Sequence, residues 1–373
     1  MRIGLSLAVA GAAVGVFMAA SAAEQPAAAK SLVYNTYIPA GHTINTAGVL
    51  PYFEKVKEQT GGSITFEFFA GGALASGKTT LNGIRTGALD SGALVDLYTP
   101  GDLPISTMLS DLFLFGENAL VMAAAMNETT LLDCEECLQD YLGDKVLPLG
   151  FISTSPYLLQ CKSPVTEAED LVGKRVRATA AMGVLAANLG GTAVNVTSSE
   201  VYEAMQRGNV DCFMGSGAWL ENYALWEVTT HVTELPLGTY HGSLPININT
   251  DTWEGLAENE RQALLDHAPF AVRGIMEGYL QDEAEVKAES EKRGVTWVAP
   301  EDSLREAIAE ARTNEAARVA EVASGRGVEN AREIIDIFLD NVEKWTGIMA
   351  EIGDDYDAYE AALKREIFDK VQY

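Results

Sequence analysis

Three groups of residues in this chain have the types and spacing to do chemistry. The first is the pair in Cys134-Glu-Glu-Cys137, with Cys161 and Cys212 further along. Cysteine thiolates ligate zinc or exchange disulfides. A zinc site needs a second such pair or a histidine pair, and His42, His231, His241 and His267 are scattered, with no His-Glu-x-x-His among them. A thioredoxin-like site needs a strand leading into the motif, whereas this motif lies in a helical context. In an exported chain the pair reads instead as part of one structural disulfide. Cys161, in a strand soon after the helix, is a candidate partner of Cys134 or of Cys137, and the sequence leaves the pairing open. Cys212, in an apolar strand, is expected to be a buried thiol. A secreted redox or hydrolytic enzyme using Cys134 and Cys137 is the alternative.

The second group is Gly72-Ala-Leu-Ala-Ser-Gly77-Lys78-Thr79, which matches the phosphate-loop pattern G-x-x-x-x-G-K-[ST]. Its context argues against a nucleotide. The preceding strand alternates polar and apolar residues, and no apolar run ending in Asp supplies a second magnesium ligand. It reads as a glycine-rich loop before a helix. No G-x-S-x-G is present.

The third group is Lys174-Arg175-Val176-Arg177, three cations in four residues of a very acidic chain. On a strand, Arg175 and Arg177 share one face and Val176 takes the other. An arginine at the mouth of a strand can hold a carboxylate in a bidentate fork. The plain alternative is a surface salt bridge. Trp219, Tyr223 and Trp226 follow at helical spacing, and Trp219, next to Gly215-Ser-Gly217, is the one expected to face a cleft.

The elements that must position these residues alternate. Strands are expected at 31–38, 63–69, 91–98, 145–151, 157–161, 174–177, 192–196, 208–213 and 244–249. Helices are expected at 44–59, 77–84, 118–142, 181–189, 200–207, 302–322 and 328–349. The alternation gives an α/β fold with a largely parallel sheet. Residues 256–292 keep a helical pattern broken only by Pro269, which suggests one helix of about 55 Å, kinked there and crossing between two lobes.

The 373 residues carry 26 Lys and Arg against 53 Asp and Glu, a net charge of −27, with 47% apolar residues. The composition is globular and long enough for two domains. So acidic a body excludes nucleic acid as a partner, because phosphate binding needs clustered cations. Residues 1–23 combine Arg2, an uncharged apolar run from Ile3 to Met18 and Ala20-Ser21-Ala22, the pattern of a secretory signal peptide. Its removal leaves a periplasmic chain of charge −28.

The order of segments resembles the solute-binding proteins of tripartite ATP-independent periplasmic (TRAP) transporters, the dicarboxylate-binding-protein family. The resemblance is carried by Phe53-Glu-Lys-Val56, Gly61-Gly-Ser-Ile64, Phe69-Ala-Gly-Gly-Ala-Leu74, Gly87-Ala-Leu-Asp90, Asp170 to Arg177, Glu200 to Asp211, and Asn249-Thr-Asp-Thr-Trp253-Glu-Gly-Leu256. It implies two α/β lobes around a ligand cleft: lobe I from 31–151 and 241–280, lobe II from 152–240 and 281–373. It further implies a receptor without enzymatic activity or cofactor, which delivers a small organic acid to TRAP membrane permease subunits. Arg177 matches the family's carboxylate-binding arginine. Ser198, Met214, Gly215 and Ser216 fall on pocket positions, as do Tyr37, Asp96, Tyr240 and His241 on the opposing rim. Tyr157 falls where several members carry a second arginine, and Cys212 where glycine is usual. With that second cation lost, a monocarboxylate with an apolar or aromatic body fits better than a dicarboxylate.

N-terminal sequencing of protein recovered from the periplasm should begin after Ala22 or Ala23. Protein that still starts at Met1 contradicts the export reading.

Overall fold

The computed structural model describes Met1, residues 29–116 and residues 118–373. Apart from Met1, the expected signal peptide lies outside the described residues. The strands are β1 (Lys30–Asn35), β2 (Ile64–Phe69), β3 (Ser91–Gly92), β4 (Val146–Ser153), β5 (Tyr157–Cys161), β6 (Arg175–Arg177), β7 (Thr192–Val194), β8 (Cys212–Ser216), β9 (His231–Thr233), β10 (His241–Asn249) and β11 (Thr296–Val298). They form two sheets, ordered β2-β1-β3-β10-β4 and β11-β9-β5-β8-β6-β7.

The first half of each sheet follows from local pattern. Val49, Phe53 and Val56 are buried on one face of the helical stretch 44–59, and Gly61 and Gly62, at φ +60° and +83°, end it before β2 returns parallel to β1. The sheets are mixed rather than largely parallel. β10 runs antiparallel to β3 and β4, and β5 antiparallel to β8 and β9. Long crossovers bring these strands back against the direction of the rest. β3 is only two residues long, and the expected strand 91–98 turns into a short 3-10 segment, Asp96–Tyr98.

The expected kinked helix is instead three helices, Thr250–Glu254, Glu258–Asp266 and Ala268–Lys292. Pro269 sits in the first turn of the last, where its missing N–H is not needed. That helix has 25 residues, about 37 Å at 1.5 Å per residue, and packs on β4 in one lobe and on β11 in the other. The C-terminal packing also differs from expectation. Ala331–Ile352 lies against Ala119–Glu128 of lobe I, where Trp345 Nε1 donates to Glu128 (2.7 Å) and Asn341 to Asp133 (2.9 Å). Its apolar stripe, Ile334, Phe338, Trp345 and Met349, is buried there.

Two disulfides are present, Cys134–Cys137 and Cys161–Cys212: the first engages the pair expected to form a structural disulfide, and the second takes Cys161 away from that pair. Cys161 and Cys212 are register partners on β5 and β8, with Cα atoms 4.0 Å apart. Sequence nearness favoured the wrong partner because sheet register is a long-range property. Cys212 is therefore bonded rather than a free thiol.

The lobes meet across the cleft. The Thr43 amide donates to Asn222 (2.9 Å), and the Ala181 amide donates to Asp111 (2.8 Å), whose carboxylate also lies 3.6 Å from Arg326. Asp111 thus ties lobe I to the start of the Ala180–Asn188 helix of lobe II.

Peptide mapping without reductant should recover both bridges, and a bond from Cys161 to Cys134 or Cys137 contradicts the register. Replacing Cys161 and Cys212 together by Ala opens a loop with a sequence separation of 51, so urea denaturation should show a loss of about 3–4 kcal/mol in the chain-entropy account. Asp111→Ala leaves the Ala181 amide unpaired in the closed form. At about 1.5–3 kcal/mol for a hydrogen bond to a charged group, calorimetric affinity for a bound acid should fall roughly 10- to 100-fold. Unchanged affinity would show that the contact does not hold the lobes together.

Candidate functional site

Arg177 ends β6, and the register sets its place. β6 lies between β7 and β8, with Arg177 opposite Val194 and Phe213. Arg175, two residues earlier on the same strand, is exposed and grips Asp211 in a fork, with Nε and Nη2 at 3.1 and 3.0 Å. Arg175 is therefore the surface salt bridge. Arg177 is only 2% exposed. Its Nε donates to the Val196 carbonyl (2.9 Å), Nη1 to the Met214 carbonyl (3.2 Å) and Nη2 to the Tyr98 hydroxyl (3.4 Å), and the guanidinium lies 5.3 Å from the Trp219 ring centroid. Among the described residues no carboxylate forms an ion pair with it. A buried cation held only by carbonyls, a hydroxyl and an aromatic face still has capacity for an anion.

The guanidinium opens on a narrow cavity between the lobes, with about 30 Å³ open to the centre of a water-sized sphere. Tyr37 and Tyr98 come from the side of the β2-β1-β3-β10-β4 sheet, Tyr157, Ser198, Trp219 and Tyr223 from the side of the other sheet, and Tyr240 from the crossover just before β10. His42, Thr154, Thr179 and Tyr279 complete the polar lining. No acidic side chain lines it and Arg177 is its only charged group, among the described residues. The aromatic rings are locked edge to face. Tyr157 and Trp219 lie 5.3 Å apart, Trp219 and Tyr223 5.5 Å, and Tyr37 and Tyr98 5.9 Å. Burial pushes the phenols of Tyr37, Tyr157, Tyr223 and Tyr279 well above their usual range, so all stay neutral donors and acceptors.

Of the residues expected from sequence, Arg177, Tyr157, Ser198, Trp219, Tyr37 and Tyr240 stand together around this cavity. The others are placed behind it. Met214 offers its carbonyl to Arg177. Gly215 lies flat under Trp219, where any Cβ would run into the indole ring. The Ser216 hydroxyl turns away to Glu283 (3.0 Å), which also accepts from Ser155 (2.7 Å) and the Ala218 amide (2.9 Å). Asp96 is fully buried and accepts from Ser106, Ser110 and the Tyr240 hydroxyl at 2.7, 2.5 and 2.9 Å. It pins Tyr240 from behind, and burial raises its pKa to about 6 despite these donors. His241 stacks on Phe338 at 5.2 Å, bonds the Leu109 carbonyl (2.8 Å), and is held neutral with a pKa lowered to about 4.

Tyr98, Tyr223, His42 and Tyr279 were missed. The Tyr98 hydroxyl accepts from the Ser198 amide at 2.9 Å as well as from Arg177, so it bridges the lobes. Nothing in its local sequence marks that role, since it depends on closure. Tyr223 was visible in the aromatic stripe but read as packing. Trp226 leaves the stripe because the chain turns at Ala224, φ +55°, and it packs on Arg293 at 4.0 Å instead. No group of acidic, His or Cys side chains among the described residues could hold a metal ion, and no helix among them is long and apolar enough to cross a membrane.

Comparison with known proteins agrees with this architecture. Residues 34–321 match the DctP family, bacterial extracellular solute-binding protein, family 7. The chain is 23% identical over 248 residues to a solute-binding protein of Albidiferax ferrireducens, spanning 65% of this chain and 72% of that protein. Its fold is similar to that of a TRAP solute-binding protein of Rhodoferax ferrireducens in complex with copurified benzoate, with TM-score 0.76 and 16% identity, covering 86% of this chain and 99% of that one. It is also similar to a marine metagenome TRAP solute-binding protein specific for aromatic acid ligands, in complex with metahydroxyphenylacetate, with TM-score 0.75 and 22% identity, covering 84% and 99%. With the family model spanning residues 34–321, the chain belongs to the DctP family of bacterial extracellular solute-binding proteins.

Proposed function

We propose that the cavity holds one organic monocarboxylate with an apolar or aromatic body, and that Arg177 binds its carboxylate. The observation that carries this reading is the burial of Arg177 without an ion-pair partner, in a cavity with no acidic lining side chain, among the described residues. An incoming carboxylate would supply the missing counter-charge through a planar fork that both groups match. Tyr157, Trp219, Tyr37 and Tyr240 would sandwich the body, and Ser198 would stand at its edge. Met214, Gly215 and Ser216 act as supports, and Asp96 and His241 hold the rim from behind.

A single carboxylate is favoured because the lining offers no second cation among the described residues. Tyr157 is neutral there, and His42 and His241 are held uncharged. The aromatic acids bound by the two structural relatives fit the same arrangement of one charge and an apolar body. The remaining roles follow from the family: export through the signal peptide at 1–23, closure of the lobes on the ligand, and delivery to TRAP membrane permease subunits in the membrane.

Removing one partner of a desolvated charge pair costs about 2–5 kcal/mol, so Arg177→Ala should weaken calorimetric binding of benzoate by roughly 30-fold to a few thousand-fold. Arg177→Lys should also bind poorly, because an ammonium does not reproduce the fork. Arg175→Ala, which breaks a surface pair, should bind almost as the wild type does. Binding by Arg177→Ala within about threefold of wild type would mean that Arg177 is not the anchor.

A further inference from the structure

His42 lines the cavity and is 1% exposed. It follows β1 and the turn Pro39-Ala-Gly-His42, and its ring is fixed from one side. Its Nδ1 accepts the Ile44 amide at 3.2 Å. A neutral imidazole that accepts at Nδ1 carries its proton on Nε2. Burial lowers the pKa of His42 to about 3, so the ring stays neutral throughout the physiological range. Its Nε2 is buried and has no hydrogen-bond partner among the described residues. An N–H in that position is costly to leave unmade.

The placement relative to Arg177 gives this donor a meaning. The guanidinium contacts Trp219, Trp219 contacts Tyr223, and the Tyr223 ring lies 5.0 Å from His42. His42 therefore stands two aromatic rings away from the cation. Beside it, 5.8 Å between centroids, is Tyr279, whose hydroxyl already accepts from Trp219 Nε1 at 2.5 Å and so has its own O–H left to donate. The end of the cavity remote from Arg177 is thus supplied with neutral donors, while the walls between are aromatic.

We propose that His42 is a specificity-determining residue that donates from Nε2 to an acceptor oxygen, a carbonyl or hydroxyl, at the end of the ligand remote from its carboxylate. The preferred ligand class is then a cyclic monocarboxylate bearing one uncharged acceptor, rather than a purely hydrocarbon acid. This rests on the carboxylate reading of Arg177 and adds a second recognition point to it. A site built to hydrogen-bond a substrate group discriminates against the analogue lacking it, because its own donor is then left unpaired.

The test is calorimetry with matched acids: cyclohexanecarboxylate against its 3-oxo and 4-oxo derivatives, and benzoate against 3-hydroxybenzoate and 4-hydroxybenzoate. Wild-type protein should prefer at least one acceptor-bearing acid over its parent by about tenfold or more. His42→Phe keeps a ring but removes the donor. Because it also removes the Nδ1 acceptor of the Ile44 amide, its readout is the ratio of derivative to parent affinity, which should fall to about one, while His42→Gln, which keeps an N–H, retains part of the preference. A wild-type protein that binds the parents as tightly as every derivative, or a preference that survives in His42→Phe, overturns the assignment. Failure of the carboxylate reading looks different. In that case the primary amides of the same compounds bind and the acids do not, and the His42 contrast is read on the amides.

Discussion

Arg177 brings a full positive charge into a space enclosed by aromatic rings and leaves it without an ion-pair partner among the described residues. Removing an ion from water is expensive unless it is paired or well hydrogen-bonded. Here the Val196 and Met214 carbonyls, the Tyr98 hydroxyl and the Trp219 face offset part of that cost without neutralising the charge. In the proposed reading, a carboxylate meets the residual demand for an anion, which would couple ligand binding to closure of the lobes. None of the chain's 53 acidic residues is used to meet the demand among the residues that line the cavity.

The fold serves this constraint. β6 and β8 place the arginine and the carbonyl that orients it, and the Cys161–Cys212 bridge ties β8 to β5 directly beneath. Four connections cross between the lobes: the step from β4 to β5, the return from β9 to β10, the helix Ala268–Lys292, and the passage from β11 through Asp302–Gly325 to Ala331–Ile352. The first two are bonded to each other, with the Thr154 amide donating to the Tyr240 carbonyl at 2.8 Å. Glu283 on the third holds Ser155 and Ser216 together. Rigid elements meeting at a narrow hinge are the arrangement in which a small ligand can bias a two-lobe equilibrium.

Much of this was legible in the sequence. The β–α alternation, the glycines after 60 and the run Lys174 to Arg177 act locally, through propensity, capping and strand parity, and local rules read them. The same loop that matched a phosphate-binding pattern is folded over β1, where the Asn35 side chain bonds the Ala75 backbone. What was hidden is set at long range. The cysteine pairing depends on the β5–β8 register. The docking of Ala331–Ile352 on lobe I depends on partners some 210 residues away, such as Glu128 for Trp345. Tyr98, His42 and Tyr279 become site residues only when the lobes close, and a lone aromatic or histidine carries no periodic mark of that.

The most direct test of an anion-demanding cavity is to ask what the protein carries from the cell. Native mass spectrometry on protein purified from the periplasm without refolding should show a noncovalent small molecule, released on denaturation, that contains one carboxylate. Retention of a molecule with no anionic group, or of a cation, would contradict the account.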